Sequence, residues 1–190
     1  MEIFKVSRPM KMKPIYFAFG FLVFSVVMRL TPHLPNMAPI GALALFSGVY
    51  LKRRYGFLVP VLALLASDLF IGFYDLRLMA VVYGSFALAA VIGWLVRKNK
   101  NVLSIALGTL GGSIIFFLTT NFAVWLFSDW YAENLSGLIM SYTLALPFFR
   151  NSLMGDIFYT AVFFGLYELA PILAYKLKII SKLAQPKFWL

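Results

Sequence analysis

Apolar residues run along this chain in long blocks, separated by short polar or basic clusters. The blocks cover roughly residues 14–30, 38–51, 55–73, 78–96, 102–127 and 151–174. Crossing a bilayer takes about 20 residues at ~1.5 Å of rise each. The pattern therefore predicts an all-α chain, a polytopic membrane bundle of six transmembrane helices. The second block, "APIGALALFSGVYL", is short, and Pro39 fits its first turn, where no backbone N–H is needed. Residues 131–149 are also apolar, but Gly137 and Pro147 interrupt them. They are expected to form a re-entrant or interfacial piece.

Composition supports lipid as the solvent. Of the 190 residues, 62% are hydrophobic and 13% charged, with a mean hydropathy of +0.87. A globular domain is about half apolar and about a quarter charged. So small a domain keeps too much surface in water to hide that excess. The stretch "KVSRPMKMKPIYFAFGFLVFSVVM" begins like a signal peptide, but no small-residue cleavage site follows, so it is expected to stay as an uncleaved first span. With no cysteine and a single histidine, His33, neither a disulfide framework nor a Cys or His metal site is expected.

The net charge of +10 arises from basic clusters between apolar blocks, which is how membrane topology is written and not the footprint of a nucleic-acid partner. With the N-terminus inside, fourteen of the seventeen basic residues are cytoplasmic, and only Arg29, Arg77 and Arg150 are outside. Both termini are then cytoplasmic. The expected organisation is a basic N-terminus at 1–13, a six-helix domain at 14–174 and a basic tail at 175–190, in a bacterial cytoplasmic membrane. Asp68, Asp75, Asp129, Glu133 and Asp156 fall on or near the outer side, and Glu168 is expected to snorkel or pair near the inner face.

Rise per residue places several polar groups at similar depth. Asn121 lies about 28 Å up the fifth span, Asp68 about 20 Å up the third, and Asp156 about 8 Å below the outer start of the sixth. Three stripes follow helical spacing: Asn121, Trp125, Ser128; Ser152, Asp156, Tyr159; and Asp68, Gly72, Asp75. Polar groups in hydrocarbon need partners, so the stripes should face one another or a wet cavity. On this reading "TTN", Thr119 to Asn121, lies on the wall of an outward-facing pocket. Thr119 alone reads more readily as a bond between helices. Asp68 and Asp156 serve a ligand or are ion-pair partners of Arg29 or Arg150. Trp125 is a stacking surface or an interface anchor. The small-residue pairs Ala38/Ala42, Ala44/Gly48, Ala89/Gly93 and Gly108/Gly112 predict close helix packing.

The stretch "PHLPNMAPIGALALFSGVYLKRRYGFLVPVLALLASDLFIGF" resembles the S-components, the substrate-capture subunits of energy-coupling-factor vitamin transporters. The likeness lies in the Pro-containing loop Pro35–Pro39, the small-residue helix Ala42–Gly48, the basic turn Lys52–Gly56, and Asp68, Leu69 and Gly72. The later runs "TTNFAVW" and "PFFRNSLMGDIFY" are similar to those of an uncharacterised S-component-like branch. The Ala-xxx-Ala pair that members carry in the first helix is missing here. The resemblance implies capture of a small nutrient from outside, beneath the loop between the first two spans. It also implies a transmembrane coupling protein and two ATPases as partners, since this chain has no P-loop.

The expected substrate-binding residues are Arg29, Asn36, Asp68, Thr120, Asn121, Trp125, Arg150, Asn151, Asp156 and Tyr159. The two arginines would take a carboxylate or phosphate. The aspartates would accept from an amine or hydroxyl, and the rings would hold a heterocycle. No cofactor, metal or catalytic step is expected, because no nucleophile, base and orienter can be assembled. The alternatives are a stand-alone proton-coupled transporter working through Asp68 or Asp156, and a ligand-free membrane scaffold.

Overall fold

The computed structural model describes residues 12–183, with side chains over 12–177. Most of the expected N-terminal segment, and the end of the expected tail, lie outside those residues. The described chain forms six helices: α1 (Pro14–Leu30), α2 (Ile40–Tyr50), α3 (Arg53–Ile71), α4 (Leu76–Lys98), α5 (Val102–Phe127) and α6 (Leu135–Leu183). α3 to α6 are long and apolar enough to cross a membrane, and α1 and α2 are shorter apolar helices. Successive helices run back and forth between two ends. Arg29, Asp68 and Arg77 mark one end, and Arg97, Lys100 and Glu168 the other.

α2 is the axis of the bundle and touches each of the other five helices. It is about 17 Å long. From Ile40 to Val49 only Gly41 escapes full burial. The sequence explains this, since a helix apolar or small on every side has no face to give to water. The small pairs set its distance from α4. A Cβ on Gly48 would lie 2.2 Å from the Ala90 carbonyl oxygen, and one on Gly93 would lie 2.6 Å from that of Leu45. Gly108 of α5 packs in the same way on Val96, Leu45 and Ile92. On its other flank α2 meets aromatics. Phe46 makes edge contacts with Phe21, Phe164 and Tyr167, and Phe21 stacks on Phe163 at 4.0 Å.

The last carbonyls of a helix have no partner along it. Arg97 of α4 supplies one for α2: its Nε donates to the Val49 carbonyl at 2.7 Å, and its Nη2 donates to those of Gly48, at 2.6 Å, and Leu51. A bond from a charged donor contributes about 1.5–3 kcal/mol, and such bonds on one residue do not add fully. Arg97→Ala is therefore expected to cost about 3 kcal/mol of stability, read as an earlier midpoint when the purified chain is unfolded with SDS.

The outward faces are apolar. On α5, Leu103, Leu107, Leu110, Ile114, Leu118 and Phe122 are all exposed at three- or four-residue spacing. That stripe runs the length of the helix and matches lipid, not water.

Two boundaries differ from expectation. The stripe read through Gly72 and Asp75 breaks, because α3 ends at Ile71. Gly72 has φ 105°, a conformation open to glycine, and turns the chain so that Asp75 caps α4. Its carboxylate accepts from the backbone N–H of Arg77 at 2.8 Å and of Leu78 at 3.2 Å. The Arg77 side chain, with these N–H groups, holds the Asp75 carboxyl down at about 2. Arg77 and Asp75 are thus boundary charges.

The larger difference is α6. Residues 135–149 are not a separate piece but the first turns of one helix that continues past Pro147. Asn134 starts it by accepting the Gly137 N–H at 2.9 Å. Gly137 is required because a Cβ there would lie 2.0 Å from the Ala132 carbonyl oxygen. The section packs on the end of α5: the Tyr142 hydroxyl donates to the Leu118 carbonyl at 2.8 Å, and Phe117 lies against Tyr142 and Phe149. Farther along, Asp156 meets Ser113 and Thr160 meets Thr109. Residues 142 to 156 of α6 thus face only residues 118 to 113 of α5. The two axes cannot be straight and antiparallel over that length. Pro147, which lacks an N–H and crowds the preceding turn, stands within the stretch where the two paths diverge.

Candidate functional site

At the Arg29 end the bundle opens into a two-lobed cavity beneath the α1–α2 loop. The first lobe, about 210 Å³, is lined by Arg29, Asn36, Tyr74, Phe86, Ser152 and Asp156 among others. The second, about 220 Å³, includes Asn36, Phe117, Thr120, Asn121, Phe149 and Ser152. Asn36, Val82, Phe116 and Ser152 belong to both walls, so the lobes are neighbours. A larger groove of about 400 Å³ lies between α1 and α6, walled by Tyr16, Phe17, Phe21, Phe24, Val162 and Leu166. It has almost no polar wall and opens on the outside of the bundle, so its shape suits acyl chains.

Each polar group of the cavity is set by its helix. Arg29 ends α1 and reaches across to α3. Its Nη1 donates to Ser67 Oγ at 2.8 Å, and its Nη2 lies 2.9 Å from Asp68 Oδ1, an ion pair in which the N–H does not point straight at the oxygen. The Tyr83 hydroxyl donates to Asp68 Oδ2 at 2.8 Å. Asp68 is 1% exposed and lines neither lobe, whereas Arg29 is 18% exposed. Asp68 therefore holds Arg29 and Tyr83 in place from behind the wall, which is the ion-pair alternative read from the sequence and not the ligand contact.

Asp156 is the floor of the first lobe. Ser113 of α5 donates to its Oδ2 at 2.7 Å. Its Oδ1 accepts no hydrogen bond from the described residues and lies against Gly41, where a Cβ would be 2.2 Å away. Ser113 is near the middle of α5, so Asp156 is deeper than expected and about 12 Å below Asn121 along that helix. The common depth assigned from sequence fails because α6 begins at Leu135, well before 151.

Asn121 and Thr120 do stand on the wall of the second lobe. The Asn121 amide donates to the Phe117 carbonyl at 2.7 Å, which leaves its side-chain oxygen as an acceptor, and Thr120 donates to the Phe116 carbonyl at 2.7 Å. Asn36, at φ 62°, turns the covering loop. The remaining expected contacts are elsewhere. Trp125 donates from Nε1 to the Ala132 carbonyl at 3.0 Å, fixes the α5–α6 turn and lines neither lobe. Asn151 donates to the Pro35 carbonyl at 3.2 Å and clamps the loop to α6. Tyr159 is a core ring packed on Phe24 and Phe163. Arg150 is exposed and lines neither lobe. Thr119 joins α5 to α4 through Ser85 at 2.7 Å, the bond between helices that its sequence context suggested. His33 is exposed on the loop, bonded to the Thr31 carbonyl.

Ser152, on the stripe expected to face inward with Asp156, lines both lobes, although it was not among the expected binding residues. Sequence reasoning missed Phe116, Tyr74 and Phe86, rings indistinguishable from lipid-facing ones.

Over residues 10–179 the chain matches DUF6580, a family of unknown function. It belongs to that family. No curated protein and no solved structure matches it. What this DUF6580 chain presents is therefore read from its own geometry. Polar groups from α1, α5, α6 and the covering loop converge on the two neighbouring lobes at one end of an apolar bundle, while Glu168, Lys100 and Tyr50 form a separate cluster at the other end.

Proposed function

We propose that this chain is the substrate-binding subunit of a bacterial uptake system, a six-span protein of the cytoplasmic membrane with both ends inside. It takes a small organic nutrient from the outer face and works with a separate transmembrane coupling protein and two ATPases. No catalytic step belongs to this reading. The observation that carries it is the two-lobed cavity, which mixes aromatic walls with a few placed polar groups, as small-molecule sites do. The likeness to S-components supports it, as does the surplus of basic residues at the opposite end.

The test works with the substrate still unidentified. The chain is purified in mild detergent and whatever small molecule accompanies it is measured by mass spectrometry. Asp156→Asn and Asn121→Ala are expected to reduce retention at least ~tenfold, in line with the loss of one or two polar contacts. Arg150→Gln is expected to leave it unchanged. Equal retention in all three would remove the cavity from consideration.

One observation favours a second reading. Below Asp156 the hydroxyls of Ser113, Thr109 and Thr160 continue a polar column between α5 and α6. A proton carried on Asp156 would use such a column, and the chain would then be a secondary transporter. Uptake into liposomes by the chain alone, driven by a pH gradient, would select this reading over the first.

A further inference from the structure

We infer that the molecule bound in this cavity is a small organic cation whose positive group sits on Asp156. The inference rests on the reading of the cavity as a binding site, and it reverses the expectation that arginines receive an anionic substrate.

Charge bookkeeping leads to it. The lining of the two lobes carries two formal charges, Arg29 and Asp156. Arg29 is already matched by Asp68 at 2.9 Å, with its two terminal nitrogens committed to Asp68 and Ser67. Asp156 has only a neutral donor, Ser113, and no cationic partner among the described residues. The walls with their ion pair therefore sum to one uncompensated negative charge. A carboxylate away from bulk water is costly unless a cation meets it.

The surroundings keep that carboxylate available. The first turn of α2, the positive end of its dipole, lies beside it through Gly41. That partial positive charge faces the carboxylate without occupying Oδ1. One carboxylate and one hydroxyl are too few ligands for a hard metal ion, which takes six or more oxygens. The rest of the wall suits an organic body. Tyr74, Phe86 and Phe116 surround the first lobe, and Phe117, Phe148 and Phe149 the second. Ring faces attract ammonium groups and pack on apolar rings. A molecule of one or two rings bearing a protonated amine or quaternary ammonium fits both the charge and the space.

The chain has no cysteine, so charge selectivity is measurable without background. Ser152→Cys puts a thiol on the wall shared by both lobes, one helical turn from Asp156. Its rates with a trimethylammonium-ethyl and with a sulfonatoethyl methanethiosulfonate are compared, using the full chain in lipid nanodiscs. His33→Cys on the exposed loop gives the reference ratio. Position 152 is expected to favour the cationic reagent at least ~tenfold more than position 33 does, an effect of the size one nearby charge gives in a low-dielectric cleft. Asp156→Asn is expected to abolish that excess. Equal ratios at the two positions, or an excess that survives Asp156→Asn, overturns the inference and leaves the cavity standing. A thiol at 152 that neither reagent reaches, with position 33 reactive, overturns the binding-site reading itself. Thr120→Cys repeats the measurement from the second lobe should Ser152→Cys fold poorly.

Discussion

Gly93→Val and Gly48→Val are each expected to remove most of the folded protein, whereas Gly20→Val and Gly165→Val leave it intact. Each of the four is a glycine inside an apolar helix. They differ in what a Cβ would meet. At position 93 it would be 2.6 Å from the Leu45 carbonyl oxygen and 2.8 Å from the Gly48 Cα. At position 48 it would be 2.2 Å from the Ala90 carbonyl oxygen. These obstacles are backbone, so no rotamer change relieves them, and α2 and α4 must separate. Ordinary overpacking of a core costs about 1–3 kcal/mol. Moving the central helix away from α4, on which it packs most extensively, also loses the Arg97 bonds, so a loss above ~3 kcal/mol is expected. At positions 20 and 165 nothing lies within 4 Å, and valine is a slightly better helix former than glycine. The measurement is the yield of monodisperse protein after size-exclusion chromatography, with the SDS midpoint for whatever survives. Normal yield from Gly93→Val would mean that the α2–α4 crossing is not as close as 2.6 Å implies.

That crossing was legible in the sequence, because Ala44/Gly48 and Ala89/Gly93 carry the small-xxx-small spacing and helices in lipid pack through such residues. The helices themselves were also legible, since long apolar blocks between basic clusters leave few alternatives. α5 begins and ends where the pattern placed it. α6 was misread because Gly137 and Pro147 look like breakers. In fact glycine makes room for the folded-back turn, and Pro147 is carried inside one continuous helix. The N-cap Asn134 was the available signal. Partner choice was harder to read. The sequence offered Arg29 or Arg150 as a partner for either Asp68 or Asp156, but helical spacing does not say that Asp68 alone meets an arginine and Asp156 a serine. Arg97 looked like one more cytoplasmic charge, because a side chain that reaches three carbonyls of another helix leaves no trace in local pattern.

Asp68→Asn is the second substitution with a large expected effect, and it separates holding a cavity from lining it. Asparagine keeps an acceptor for the Tyr83 hydroxyl, so the change removes mainly charge. Arg29 is then left with Ser67 alone. Removing one partner of a buried pair costs about 3–5 kcal/mol, because the other charge stays uncompensated. The SDS midpoint of Asp68→Asn should fall accordingly. The freed guanidinium charge should also cancel that of Asp156, so the preference of a thiol at position 152 for the cationic reagent should collapse although Asp156 is untouched. The double substitution Arg29→Met with Asp68→Leu removes both charges and replaces them with apolar volume, which is often neutral or stabilising. It should restore the midpoint and, with Asp156 again the one unmatched charge, the cationic preference as well. A merely structural role for the pair would predict the first recovery and say nothing of the second. Asp68 as a ligand contact would predict the opposite pattern: Asp68→Asn would lower small-molecule retention as steeply as Asp156→Asn while leaving stability unchanged, and the double substitution would not bring binding back.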